Sequence, residues 1–434
     1  MRPLRTLTSR RIHGTLTLLT IGVIAAWTGA APPEESADRL TTGAKLLRRF
    51  KTEVYRTPVL LETKAGPRLL VWIDAFDPTA PTRFPGEPQK DPVFDLSFWD
   101  IKADKEIDKM SYPKQPAPLA PVAPSAHSPG MFGPLGQLAF SSDGKQFAFV
   151  STSYRMVPGK VNHEATGTIQ MYDLETHKSK AAIGTEWKRE NNKYNFPCVL
   201  FAPDGALVIL MEATCTVHEP GKASPRMVFD LVRAPNFEAD TVAYAIREAV
   251  LSPDGGQLAV AADGTVTVYD LAAGKAIFEA PRAAPDAKGN SGVNNARVSL
   301  AFAPGKDVQK VLAVEIVTGP PKSFVLARLF DLKEKKEIAN VKLAEAETGA
   351  RAAQLGNPAP PNWGRAYAFF TPKGEPRILF DGKLVDGANG KVLDEFDPGA
   401  GLILSRDGKY LVRLNTVKDD KKRGIELWSL DNQK

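Results

Sequence analysis

The sequence has 434 residues, 43% hydrophobic and 24% charged, which excludes bulk disorder and collagen-like structure and leaves length for a large core. The formal net charge is +6, but Arg2, Arg5, Arg10 and Arg11 have no acidic partner near them, and setting these four aside leaves +2. A nearly balanced body carries no long-range positive field, so no nucleic-acid partner is expected. One apolar stretch, Thr15 to Trp27, is long and charge-poor, which excludes a multi-spanning membrane protein.

In chain order, a basic segment, that apolar stretch and the small residues Thr28, Gly29, Ala30 and Ala31 come first. This is the order of a secretory signal peptide, expected over 1–31 with cleavage near Ala30 or Ala31. Ser9-Arg10-Arg11 also resembles a twin-arginine signal. The rival reading is an uncleaved anchor, which a stretch well short of ~20 residues serves poorly. A linker is expected over 32–49 and a repeat domain over 50–434. The expected location is therefore periplasmic or extracellular, with no membrane insertion once the signal is removed.

From there on, apolar runs end in a tight turn and resume. Leu138-Ala139-Phe140 precedes Asp143-Gly144, Val199-Leu200-Phe201 precedes Asp204-Gly205, and Val250-Leu251 precedes Asp254-Gly255. Leu300-Ala301-Phe302 precedes Gly305, Phe369-Phe370 precedes Gly374, and Leu402-Ile403-Leu404 precedes Asp407-Gly408. Each predicts a hairpin, with Gly or Asp supplying the positive φ that a tight turn needs. An aromatic-Asp-aliphatic triplet follows at a distance and predicts the end of a third strand: Trp99-Asp100-Ile101, Tyr172-Asp173-Leu174, Phe229-Asp230-Leu231, Tyr269-Asp270-Leu271 and Phe330-Asp331-Leu332. Trp428-Ser429-Leu430 is its degenerate last member. A short polar turn and a fourth strand, such as Ala276-Ile277-Phe278, complete a four-stranded unit. The Asp of each triplet is expected to accept hydrogen bonds from the amides of the following turn.

The pairing of a Ser-Pro-Asp-Gly hairpin with a Trp/Tyr-Asp-Leu third strand resembles the WD-repeat β-propeller family, and the Tol-type and lactonase-type propeller repeats share the turn. The resemblance runs from about residue 50 onward. It implies an all-β, seven-bladed β-propeller of four-stranded antiparallel blades. The Gly-His dipeptide that typically opens a WD repeat is absent, so blade-to-blade packing is expected to rest on apolar layers.

The units fall at roughly 57–112, 137–184, 197–247, 248–280, 297–343, 366–396 and 401–430. The last is one strand short, and an N-terminal strand near Phe50 to Tyr55 is expected to complete it and close the ring, because an unpaired edge would expose backbone donors and acceptors. Long insertions are expected at 77–92, 152–166, 214–225 and 415–423 between second and third strands, and at 111–136, 187–196, 281–295 and 344–365 between blades. In a four-stranded meander these two kinds of connection leave from the same end, which makes it the expected working surface. The insertion at 111–136 is proline-rich, with prolines at 113, 116, 118, 121, 124, 129 and 134, and is expected to be an extended, solvated spacer.

Motifs for a nucleophile elbow, a zinc helix, a phosphate-binding loop and a dinucleotide fingerprint are all lacking, so no catalytic residue and no cofactor is assigned. The aromatic and arginine side chains expected on the loop-rich end, Tyr154, Arg155, Trp187, Tyr194, Trp363 and Arg365, are the candidate partner-binding residues, because these residue types dominate binding hot spots. His163 and His218, each followed by Glu, are secondary metal candidates if corresponding loops of adjacent blades bring them together; their spacing matches no metal motif. With Cys198 and Cys215 alone, one bridge is the maximum, and hairpin geometry speaks against it. The expected function is a noncatalytic exported scaffold binding a protein or cell-envelope component. The alternative is a lactonase- or lyase-like propeller enzyme with its site at the channel mouth.

Overall fold

The computed structural model describes residues 45–50, 59–63, 66–74, 94–100, 105–111, 138–141, 143–156, 163–173, 176, 178–185, 197–211, 213–232, 246–262, 265–283, 297–305, 309–317, 322–347, 366–395, 402–405, 409–416 and 423–430. The chain divides into two units, Met1–Arg39 and Leu40–Lys434. The first, with the expected signal segment, lies outside the described residues.

Among the described residues every regular element is a β-strand, beginning with β1 (Lys45–Phe50). Sheet I joins β2 (Val59–Thr63), β3 (Gly66–Asp74), β4 (Phe94–Asp100) and β5 (Lys105–Ser111). Sheet II joins β6 (Leu138–Phe140), β7 (Gln146–Met156), β8 (His163–Asp173) and β9 (Lys178–Thr185). Sheet III joins β10 (Cys198–Phe201), β11 (Leu207–Met211), β12 (Thr214–His218) and β13 (Pro225–Asp230), and sheet IV joins β14 (Glu248–Leu251), β15 (Gln257–Ala262), β16 (Thr265–Asp270) and β17 (Lys275–Pro281). Sheet V joins β18 (Arg297–Phe302), β19 (Lys310–Val317), β20 (Lys322–Asp331) and β21 (Lys336–Glu347). Sheet VI joins β22 (Tyr367–Phe370), β23 (Pro376–Phe380), β24 (Lys383–Asp386) and β25 (Val392–Glu395). Sheet VII, built from β26 (Leu402–Leu404), β27 (Tyr410–Thr416) and β28 (Arg423–Ser429), is completed by β1, which pairs antiparallel with β28. The completing strand thus spans 45–50, ahead of the expected 50–55, and occupies the end of the expected linker. Leu46 opposite Trp428 extends the apolar cluster of sheet VII, which explains the choice of register.

From sheet II to sheet VII, successive sheets pack through apolar faces. Ala148, Ile169 and Met171 of sheet II meet Val199, Leu207 and Ile209 of sheet III, and Val208, Leu210 and Val217 on the other face of III meet Leu258, Val260 and Tyr269 of sheet IV. The same alternation continues along β19, whose Val311 and Ala313 face sheet IV while Leu312, Val314 and Ile316 face sheet VI. A strand covered on both faces reads as a continuous apolar run, as Val311 to Val317 does apart from Glu315. Phe369 and Leu379 of sheet VI then meet Leu404, Leu411 and Trp428 of sheet VII, and β2 of sheet I contacts β26. The apolar layers expected between units are therefore present from sheet II to sheet VII.

The turn chemistry follows the sequence closely. The amide of Gly255 donates to the Ser252 carbonyl at 2.9 Å, the Ser252 hydroxyl donates to Asp254 at 2.6 Å, and the Gln257 amide donates back to the Ser252 hydroxyl at 2.8 Å. Ser141 and Asp143 repeat this arrangement. Gly144, Gly205, Gly255 and Gly374 all have positive φ, between 69° and 86°, which favours glycine. In the triplets, Asp173, Asp270 and Asp331 each accept an amide hydrogen bond at 2.9 Å from Thr176, Ala273 and Glu334, the turn-closing role expected of them.

Sheet III departs from the expected pattern. Phe229-Asp230-Leu231 closes its fourth strand, and the third is β12, within the expected insertion 214–225. Cys215 and Val217 alternate inward there and are buried, so burial of a short alternating run outweighs the missing aromatic-Asp signal. The expected insertion at 152–166 shrinks to 157–162, because β7 and β8 pair as far as Met156 and His163.

Candidate functional site

Within each sheet, the connection from second to third strand and the one leading from the fourth strand to the next sheet leave from one end; the other two turns leave from the opposite end. The long connectors are 75–93, 112–137, 186–197, 231–247, 282–296 and 348–366, all of the first two kinds. Turns of the opposite kinds are no longer than the seven residues 303–309. This insertion end is the candidate functional surface.

Tyr154 and Arg155 belong to β7, opposite Ala165 and Glu164, near the insertion end of sheet II. They were expected in a loop and instead sit on paired strands. Trp187, Tyr194, Trp363 and Arg365 lie outside the described residues. His163 opens β8 at the insertion end, whereas His218 closes β12 at the tight-turn end of sheet III. The two histidines thus occupy opposite ends of corresponding strands, and the convergence that a shared metal ion requires is not formed. Among the described residues no group of three or more His, Cys, Asp or Glu is placed to hold a metal.

His218 is 4% exposed. Its Nε2 lies 3.1 Å from the Thr216 hydroxyl, and its Nδ1 has no hydrogen-bond partner. Burial pushes its pKa below the usual imidazole value, outweighing the carbonyls of Ala223 and Lys222, which favour the charged form. The neighbouring Glu219 pairs with Lys222 at the surface.

Cys198 and Cys215 are both thiols, not joined in a disulfide. Each is in register with Leu210, one on either side of β11. Two strand spacings separate them by about 10 Å, beyond the ~7 Å a bridge tolerates. Burial, with a smaller contribution from Cys198, pushes the Cys215 thiol up to about 12.

A buried charged group outside the candidate residues lies between sheets IV and V. Glu315, fully buried on β19, accepts from Arg282 Nε at 3.0 Å and from the Ala283 amide at 3.3 Å. Arg328 Nη1 stands 3.8 Å from the same carboxylate, while its Nε donates to Glu337 at 2.7 Å and its Nη1 to the Pro281 carbonyl. The Arg328 guanidinium also lies 4.8 Å from the Phe330 ring centroid. A visible signal was available: a lone Glu in the run Val-Leu-Ala-Val-Glu-Ile-Val demands a buried cationic partner. A second buried carboxylate, Glu426 on β28, accepts from Arg49 of β1 at 3.2 Å and from Trp428 Nε1 at 3.3 Å, with Arg413 Nη1 at 3.8 Å. The acidic side chains buried at both places are thus held by arginines.

Four-stranded antiparallel sheets, packed in chain order from II to VII through apolar faces, make this an all-β chain. No protein-family description matches the chain, and no curated protein matches it either. Among solved structures it is similar to BamB from Moraxella catarrhalis, with a TM-score of 0.39 and 10% identity, covering 86% of this chain and 100% of that one. It is also similar to the periplasmic gluconolactonase PpgL from Pseudomonas aeruginosa, with a TM-score of 0.40 and 16% identity, covering 78% of this chain and 88% of that one.

Proposed function

We propose that the chain is an exported, noncatalytic seven-bladed β-propeller of WD-repeat-like character. In this reading the seven sheets form a ring, β1 closes it by completing the last blade, and the insertion end binds a protein or cell-envelope component. The observation that carries it is the one-sided placement of the long connectors, since loops on a rigid scaffold carry recognition while tight turns carry stability. Export rests on the N-terminal segment, and the mass of the exported protein tests removal near Ala30 or Ala31: a mass that retains residues 1–31 overturns it.

Affinity capture from the native envelope tests the binding surface. Mature protein is compared with one variant in which 112–137 and 348–366 are shortened and another carrying a bulky insertion in the tight turn 271–274. Capture lost in the first and kept in the second supports the proposal. The reverse pattern, or turnover of lactones or glycans by the unmodified protein, replaces the binding scaffold with another function.

A further inference from the structure

We propose that Glu315 is a positioning residue which, through Arg282 and the Ala283 amide, fixes the point at which the chain leaves sheet IV toward the insertion end. Three consecutive residues, Pro281, Arg282 and Ala283, end β17 and begin the connector to sheet V. Each is held by a polar group of sheet V or by a partner of one. Glu315 takes the Arg282 guanidinium and the Ala283 amide, and Arg328 takes the Pro281 carbonyl. Arg282 also reaches back to the Ala262 carbonyl at 3.4 Å, tying the same point to the end of β15.

Charge neutralisation alone does not account for this arrangement. A buried Arg-Glu-Arg group is commonly no more stable than apolar residues of the same volume, and sheets IV and V already share an apolar cluster. Two of the contacts go to backbone atoms of the exit segment, which ion pairing does not require. Backbone contacts fix a path. The polar group therefore acts as a clasp by which sheet V sets the root of a connector belonging to sheet IV. Its importance for recognition rests on the insertion-end reading above; the clasp itself does not.

Hydrogen exchange on the full mature chain, without any partner, tests it. Glu315→Ala is expected to raise exchange over 276–283 by about tenfold, because the exit opens locally, and to leave sheets II and VI unchanged. Glu315→Gln, which keeps one acceptor oxygen and replaces the other with an NH2 donor, is expected to restore part of the protection. Unchanged exchange over 276–283 in Glu315→Ala, or an equal rise across all sheets in a folded variant, overturns the clasp. If Glu315→Ala does not fold, Arg328→Lys decides, with a rise confined to the same segment expected and none overturning it. Envelope capture is scored separately: failure of capture by the unmodified protein removes the binding function and leaves the clasp intact.

Discussion

The amide of Val232, just beyond sheet III, donates to the hydroxyl of Tyr269 in sheet IV at 2.7 Å. Tyr269 is also the aromatic of a triplet, its ring 5.5 Å from that of Phe229. One side chain thus ends a strand, fills the III–IV interface and satisfies the backbone of the preceding sheet. Burial pushes its pKa up to about 12, with the Val232 amide acting in the opposite direction. Tyr269→Phe keeps the ring and removes the acceptor, and is expected to cost about 1–3 kcal/mol, measured by denaturant unfolding. A change within experimental error would show that water serves the amide equally well.

Gly255 and Gly221 separate strain from collision. Both have positive φ, 76° and 75°. A Cβ on Gly255 would stand 2.5 Å from Pro203 Cδ in the neighbouring sheet, whereas one on Gly221 meets nothing within 4 Å. Gly221→Ala is expected to cost about 1 kcal/mol for the backbone, and Gly255→Ala about 1–3 kcal/mol more for overpacking. Equal losses in thermal unfolding would mean that the two sheets yield freely at Pro203.

At the junction of the chain's two ends, Glu426 is buried while Arg49 is half exposed. Glu426→Ala leaves Arg413 buried without its carboxylate and is expected to cost about 3–5 kcal/mol. Arg49→Ala removes a solvent-screened partner and should cost under about 1 kcal/mol. Chemical denaturation of the two variants checks the order.

His218 makes stability depend on mild acid. Its folded pKa lies below the usual imidazole value of about 6.5, so between the folded and unfolded values the unfolded chain binds more protons. Its contribution is complete above about pH 6.5 and declines as pH falls toward the lower folded value. His218→Gln is expected to flatten that part of the stability profile; an unchanged slope assigns it to other groups.

With its pKa near 12, Cys215 is a neutral buried thiol. Alkylation at pH 8 followed by mass spectrometry is expected to leave it unmodified in the native protein and to modify it fully after denaturation, since the thiolate is the reactive species. Rapid native labelling would contradict its burial.

Strands and turns were legible because their causes are local. The Ser-x-Asp-Gly turns close through hydrogen bonds within five residues, and the triplet Asp reaches an amide three residues on. Sheet III was misread where the local signal was missing: no aromatic-Asp pair closes β12, and only packing of Cys215 and Val217 against sheet IV identifies it as the third strand. His218 was misplaced for the same reason, since a one-strand shift moves a residue to the other end of its sheet, whereas His163 stays at the insertion end.

By itself the sequence determined the all-β class, the period of the repeat and the side on which insertions gather, because turn residues and alternation act within a few positions of the chain. The tertiary structure decided which strand completes the last sheet and which charges meet: Lys45–Phe50 lies against β28, and Arg282 against Glu315. Those pairings join residues distant in sequence, and they are fixed by the need to cover a sheet edge and to neutralise a charge removed from water.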